Sequence, residues 1–426
     1  MARTDWFTYA RFGMFIHWGI YAIPARGEWV RCVERISNED YQQHFDAFDP
    51  VDYDPKEWAK AAKHAGMKYA VMTAKHHDGF CMFDSKLTDY KATNTKAKRD
   101  LIREFLDAFR AEGLKVGLYY SLLDWHHPDY PHYDDPVHPM RGNEAYKGKT
   151  HDFEKYLDYL HGQVEELCKN YGKIDIFWFD YSYDEYSGEK WRATELVRMV
   201  RKYQPDVIID NRLEGSGSGY GSLMTDSPNE YSGDFVCPEQ VIPPNGIRTP
   251  SGKPVCWEAC VTMNNNWGYT VRDKHFKPAE MVVRKLVECV SKDGNLLLNI
   301  GPDAKGSIPP ESIEILKKTG DWMQKNSDSI YGCGPAGFDK PEYGRVTRNG
   351  DILYYHITEN QIGAIPLTGI GAEQIKRIWN VADGSEIRFA DTHFLVNAGD
   401  TRYISFGESP LLPDPVDTVI GVELHP

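Results

Sequence analysis

The stretch that decides the fold is KYAVMTAKHHDGF, Lys68 to Phe80. Its opening residues are almost continuously apolar, as suits a strand covered on both faces. Such a strand has no reason to finish in His76-His77-Asp78 unless its end opens onto something polar. Similar runs recur along the chain: FGMFIHW (12–18), KVGLYYS (115–121), KIDIFWFD (173–180), DVIIDNR (206–212), VCWEACV (255–261) and NLLLNIG (295–301). Helical patterns stand between several of them. Phe153, Tyr156, Leu157, Leu160, Val164, Leu167 and Tyr171 keep a 3.6-residue period, as do Val283, Leu286, Val287 and Val290 after Pro278. Asp54-Pro55 opens another helix that ends at Gly66, and residues 99–112 form one that ends at Gly113.

Apolar strands alternating with amphipathic helices predict an α/β chain with a parallel sheet clad in helices. Seven or eight such units favour a (β/α) TIM-like barrel over an open sheet, and residues 1–334 are assigned to it as a catalytic domain. After about residue 333 the pattern changes. GCGPAGFDKPEYGRVTRNGDILYYHI carries no amphipathic helix, and short alternating segments broken by Gly, Pro and Asn349-Gly350 run to the end. Residues 335–426 therefore read as a C-terminal β-sandwich domain, with no internal repeat and no long linker.

Polar residues collect where the strands finish. His17 follows GMFI, His76 and His77 follow VMTAK, and Ser121 with Asp124-Trp125 follows GLYY. Asp180 ends IFWF, Arg212 ends IIDN, and Asn299 ends NLLL. One such residue would be an ordinary cap, but six independent strand ends point to one face, where the C-terminal ends of barrel strands build active sites.

The bulk numbers narrow the function. A net charge of −14 and the lack of any Lys/Arg block argue against nucleic acid as a partner, which leaves a neutral or sugar-like substrate. Aromatic residues make up 13% of the chain, with 26 Tyr and 11 Trp, and aromatic faces stack on the C–H faces of sugar rings even where most of them serve the core. No segment approaches the length of a membrane span, and MARTDWFTYARFG has no basic start followed by an apolar run. A cytoplasmic location is the expectation, native export with a removed leader being the alternative. The eight cysteines show no CxxC framework or zinc spacing and read as reduced, mostly buried thiols. The sequence is compatible with a homo-oligomer.

Asp180 is the leading catalytic candidate. A carboxylate at the end of the most hydrophobic strand, beside Trp178 and Phe179, is costly unless it has a partner or a task. A nucleophilic aspartate needs cations or donors close by, for which Arg212 and the histidines are suited. Strand parity puts Tyr119 and Ser121 on the inner face and Tyr120 against the helices, and it puts Trp178 on the same face as Asp180.

RFGMFIHWGIYAIPARGEW, KHHDGF, GLYYSLLDW, IFWFD, DNR, GDFVCPE and WEACVTMNNNWGY occur in the order seen in the α-L-fucosidases of glycoside hydrolase family twenty-nine, which the chain resembles over residues 11 to about 302. The resemblance implies a barrel followed by a β-sandwich, no metal or other cofactor, a fucosylated glycan as substrate, and hydrolysis with retention of configuration through an aspartate nucleophile. Carried over by position, Asp180 matches the nucleophile. His17, Glu28, Trp29, His76, His77, Tyr119, Trp178, Arg212 and Trp267 match positions that contact fucose, with the two adjacent histidines as neutral or shared donors to its hydroxyls. Trp267 or Phe15 would supply part of an apolar recess for the C5 methyl.

A retaining glycosidase also needs a carboxylic acid about 5–5.5 Å from the nucleophile. The segment SGDFVCPEQ selects Glu239, with Glu230, Glu258 and Glu28 as rivals. Other readings of the same residues are a glycosidase for a sugar related to fucose, a fucose-binding protein without turnover, and a hydrolase holding a divalent metal on His17, His76, His77 and Asp180. The metal reading lacks the usual His-x-His spacing, since adjacent histidines on a strand cannot easily face one ion. The long segment WHHPDYPHYDDPVHPMRGN (125–143) is expected to wall the aglycone side.

Overall fold

The computed structural model describes residues 2–215, 223, 225–390, 401–407, 409 and 411–426. Each apolar run named above becomes a strand: β1 (Phe12–Ile16), β2 (Tyr69–Lys75), β3 (Lys115–Ser121), β4 (Ile176–Asp180), β5 (Ile208–Ile209), β6 (Trp257–Thr262) and β7 (Gly294–Ile300). All pair in parallel, in the order β5-β4-β3-β2-β1-β7-β6, and the sheet is curled. The helices begin where their sequence signals stand. Asp54 caps Pro55–His64 by accepting from the backbone N–H groups of Lys56 and Glu57, and Asp100 and Asp152 cap Leu101–Ala111 and Phe153–Asn170 in the same way.

Between the outer strands β5 and β6 runs an irregular segment, residues 234–240. Asp234 N–H donates to the Ile209 carbonyl, and Val236 and Gln240 N–H donate to the carbonyls of Cys256 and Cys260. Single parallel bridges join Asp210 to Phe235, Val236 to Trp257 and Glu239 to Cys260. One apolar cluster fills the concave side. It takes Phe15, Val71, Tyr119, Trp178, Ile208, Cys260 and Leu297 from the strands, and Phe235 and Cys237 from the irregular segment. Tyr69 can turn into this interior because its β1 neighbour is Gly13, where a Cβ would lie 2.2 Å from the tyrosine ring. The larger apolar cluster lies on the convex side, between strands and helices.

Beyond residue 333 the chain is antiparallel β. Strands β8 (Gly334–Pro335), β9 (Gly344–Asn349), β10 (Ile352–Ile357), β11 (Ile365–Leu367), β12 (Ile375–Asn380), β13 (Arg388–Phe389), β14 (Arg402–Ser405) and β15 (Thr418–Leu424) form a five-stranded sheet, β12-β15-β10-β9-β8, and a three-stranded one, β11-β14-β13. Asn349 pairs with Ile352, so the β9–β10 turn is Gly350-Asp351, with Gly350 in the left-handed region at φ 58°. No helix among the described residues is long and apolar enough to cross a membrane.

Candidate active site

The C-terminal ends of β1–β4, the residues following β5 and the 234–240 segment surround a cavity of about 600 Å³. His17, Glu28, Trp29, His76, His77, Tyr119, Trp178, Asp180, Arg212, Glu239 and Trp267 all line it. Strand register accounts for part of the convergence. Tyr119 pairs with Trp178 and Ser121 with Asp180 across β3 and β4, so the inner-face residues of both strands meet. Tyr120 points the other way and donates to Gln163 of the helix Phe153–Asn170 at 2.8 Å.

The carboxylates share a cation. Arg212 donates through Nη1 to Asp180 Oδ1 at 2.8 Å and through Nη2 to Glu239 Oε2 at 2.9 Å. Asp180 Oδ2 accepts from the Tyr119 hydroxyl at 2.7 Å, and Glu239 Oε1 accepts from Trp267 Nε1 at 3.2 Å. The guanidinium stacks on Trp178, 4.4 Å from the ring centroid. Burial works against the arginine's charge, yet Asp180 above all pushes its pKa well above the ordinary value.

The rival acids stand elsewhere. Glu230 is exposed and paired with Arg198 at 2.7 Å, outside the cavity. Glu258 lies fully buried beneath Trp178, bonded to the Tyr69 hydroxyl, and burial pushes its pKa up to about 8. Glu28 lines the cavity, but its Oε2 accepts from Gly268 N–H at 2.8 Å, and burial raises its pKa.

The family model for Alpha-L-fucosidase matches residues 1–328. The chain belongs to the alpha-L-fucosidase family. It is a glycoside hydrolase. Its fold is similar to the alpha-L-fucosidase isoenzyme 1 from Paenibacillus thiaminolyticus, with a TM-score of 0.96 and 57% identity over 100% of this chain and 99% of that one. A family member from Bacteroides thetaiotaomicron, trapped as a covalent intermediate with 2-fluoro-fucosyl fluoride, is 26% identical with a TM-score of 0.83, covering 100% of this chain and 96% of its own. The human plasma alpha-L-fucosidase is 30% identical over 76% of this chain and 68% of its own length.

In this fucosidase-family pocket the histidines are neutral. Burial pushes His17 and His77 down to about 3, and His76 well below its usual value. Their hydrogen-bond partners fix more than that. Asn299 spends its Nδ2 donor on the Trp267 carbonyl at 2.8 Å, so its Oδ1 accepts from His17 Nδ1–H at 2.8 Å. Ser121 donates to the Leu123 carbonyl at 2.9 Å, so its oxygen accepts from His77 Nδ1–H at 2.7 Å. Each ring therefore keeps a bare Nε2, an acceptor. A neutral imidazole has one N–H, and in this arrangement His77 spends it on Ser121 and turns an acceptor to the cavity. The nearby Asn299, seen in the sequence only as a strand end, orients His17.

Among the described residues no three His, Cys, Asp or Glu side chains are placed to hold a metal together. Phe15 and Trp267 come together with centroids 5.9 Å apart, as an apolar recess requires. Segment 125–143 does not line the cavity. Instead Trp125 packs on Trp29 and His77, and Asp135 accepts from the Tyr183 hydroxyl, so this segment props the wall from behind.

Sequence reasoning did not find Tyr181, Ser182, Tyr183 and Gln240, which also line the cavity. Gln240, at φ 55°, reverses the chain directly after Glu239; its amide donates to Thr262 Oγ1 at 2.9 Å and accepts from Thr262 N–H at 3.3 Å. Its adjacency to Glu239 was the available signal. The alternation Tyr181-Ser182-Tyr183 after the strand was the signal for the other three.

Proposed function

We propose that the protein is a retaining, exo-acting α-L-fucosidase that releases L-fucose from fucosylated oligosaccharides or glycoconjugates, with Asp180 as nucleophile and Glu239 as acid/base. The observation that carries this reading is the single guanidinium of Arg212 bonded to both carboxylates inside the cavity. Two carboxyl groups on one guanidinium suit the close pair of a retaining enzyme, about 5–5.5 Å, better than the wider inverting pair, about 6.5–9.5 Å. The covalent intermediate of the Bacteroides thetaiotaomicron relative supports the same course.

Fucose sits at the buried end, its hydroxyls donating to Nε2 of His17 and His77 and its methyl against Phe15 and Trp267. Asp180 attacks C1 while Glu239 gives its proton to the departing glycosidic oxygen, forming a fucosyl ester. Glu239, now a carboxylate, takes a proton from water as the water attacks C1, and Asp180 leaves. Two inversions at C1 retain the anomeric configuration. Tyr119 and Arg212 stabilise the charge that returns to Asp180.

The cavity's frame is read the same way. The sheet closes as a barrel of eight units with residues 234–240 in the eighth place, supported by the bridges to both outer strands and by the Phe235 and Cys237 side chains in the interior. The catalytic domain spans 1–334 and the β-sandwich 335–426, the division falling within β8.

The test is proton NMR of an aryl α-L-fucoside during hydrolysis. The α anomer of fucose appears first and mutarotates later. The β anomer appearing first overturns retention, and no release from any α-L-fucoside overturns the fucosidase reading.

A further inference from the structure

The cavity has a sealed end and an open side. His17, His76, His77, Tyr119 and Trp178 are at most 4% exposed, whereas the Glu239 side chain is 31% exposed. An acid that protonates the glycosidic oxygen stands beside that oxygen, so the sugar left behind must extend from Glu239 toward the half-buried residues of the mouth. On that side Trp29, Tyr181 and Tyr183 form a continuous aromatic strip, with ring centroids 5.2 Å apart for Trp29 and Tyr181 and 5.6 Å for Tyr181 and Tyr183. Tyr186 extends it outward, 5.2 Å from Tyr183.

The backbone is built to present these rings. Tyr181 directly follows Asp180 and holds φ at 80°, a conformation that is strained for a bulky residue and persists only where neighbours enforce it. Here the enforcement comes from Ser182, whose hydroxyl donates to the Arg212 carbonyl at 2.7 Å and accepts from Trp191 Nε1 at 3.0 Å. With Ser182 pinned inward, Tyr181 and Tyr183 turn toward the cavity. Tyr183 and Tyr186 then exchange backbone hydrogen bonds of 2.9 and 2.8 Å, and Asp135 and Tyr130 hold the Tyr183 hydroxyl from behind. Burial, with Asp180 and Glu239 close enough to add to it, raises the Tyr181 phenol to about 12, so the ring is neutral.

We infer that Trp29, Tyr181 and Tyr183 form the subsite for the sugar that carries the fucose, a neutral hexopyranose stacked by its C–H face. The inference rests on the fucosidase reading and gives its substrate class: fucosylated oligosaccharides, favoured over fucosides with small aglycones. None of the three side chains carries a charge, so the strip recognises a ring face and excludes a sugar whose buried face bears a carboxylate or sulfate.

The test compares kcat/KM on α-L-fucosyl fluoride, which has no aglycone sugar, with kcat/KM on the best-cleaved of a panel of α-L-fucosyl-galactose disaccharides. In Tyr181→Leu and Tyr183→Leu the disaccharide-to-fluoride ratio falls about 5- to 10-fold, the size of one lost aromatic stacking contact. Tyr181→Phe keeps the face and holds the ratio within about 2-fold of wild type. An unchanged ratio in both leucine variants overturns the subsite while leaving the fucosidase reading intact. A wild-type enzyme inert toward the fluoride and all the disaccharides overturns both. Saturation-transfer NMR of galactose on the wild type covers variants that fail to fold: saturation reaching the ring C–H protons supports the subsite, and its absence at high galactose overturns it.

Discussion

Replacing Arg212 by methionine keeps an unbranched apolar stem but removes the guanidinium from the face of Trp178 and from between Asp180 and Glu239. Asp180 is left with the Tyr119 hydroxyl at 2.7 Å and His77 Nε2 at 3.8 Å, and that nitrogen carries no proton to donate. Glu239 is left with Trp267 Nε1 at 3.2 Å. Breaking a buried ion pair by removing one partner costs about 3–5 kcal/mol. The Asp180 and Glu239 side chains are 11% and 31% exposed, so solvent softens the loss and the lower part of that range applies. That cost falls on folding stability; in the folded variant the two carboxylates lose their common anchor, and a misplacement of the reacting groups by about 1 Å lowers kcat/KM about 10²-fold. Arg212→Lys supplies a point charge that reaches one carboxylate, so it loses about 10- to 100-fold. The assay is aryl α-L-fucoside hydrolysis across pH, with circular dichroism to confirm folding. A folded Arg212→Met enzyme within a few-fold of wild type refutes the shared-cation argument.

Acid stability follows from the histidines. His17 and His77 titrate near 3 when folded against 6.5 when unfolded, so their contribution is complete above pH 6.5 and is lost as pH falls toward 3, by about 1.4 kcal/mol per pH unit for each. Urea unfolding at pH 7.5 and 5.0 shows the decline, and His77→Asn, which keeps a donor toward Ser121, has a shallower slope; parallel slopes contradict the assignment. Glu258 has the opposite sign: its folded pKa of about 8 lies above the ordinary 4.5, so ionisation of the unfolded chain erodes stability as pH rises through that window. Glu258→Gln therefore gains stability relative to wild type between pH 5 and 8 and retains activity, whereas Glu239→Gln loses activity on substrates with poor leaving groups. Gly79→Ala destabilises by about 2 kcal/mol or more, measured by thermal unfolding, because Gly79 holds φ 82° and a Cβ there lies 2.2 Å from Asp124 Oδ1, which accepts from His126 and His127 N–H while the other oxygen of that carboxylate pairs with buried Lys75.

Most of the frame was legible because it is written in periodicity. Seven apolar runs became seven strands, and polar strand ends became cavity walls, since strand direction and parity alone decide where such residues point. The segment 234–240 was legible only as the place of an acid. It has no apolar run long enough to read as a strand, and Pro238 cannot donate to a ladder, so its place beside β5 and β6 depends on bridges that only the folded sheet creates. Tyr181 and Gln240 were invisible for a related reason: both hold left-handed backbone without the glycine that usually marks it, and what enforces this lies far away in sequence, in Arg212 and Thr262. The role of His77 turned on Ser121, whose own proton goes to Leu123, a chain of two hydrogen bonds that no local pattern encodes. Glu230 and Glu258 were separated from Glu239 by burial and partners, an exposed ion pair with Arg198 in one case and a sealed contact with Tyr69 in the other.

The decisive measurement is azide rescue of Asp180→Ala and Glu239→Ala on an aryl α-L-fucoside, with the anomer of the fucosyl azide assigned by NMR. Azide taking the place of the missing nucleophile gives β-fucosyl azide from Asp180→Ala, and azide opening the fucosyl-enzyme gives α-fucosyl azide from Glu239→Ala. Those two products, one from each variant, are the expected result. An unimpaired Glu239→Ala enzyme, or an α-azide from Asp180→Ala, contradicts the roles assigned to the two carboxylates on Arg212.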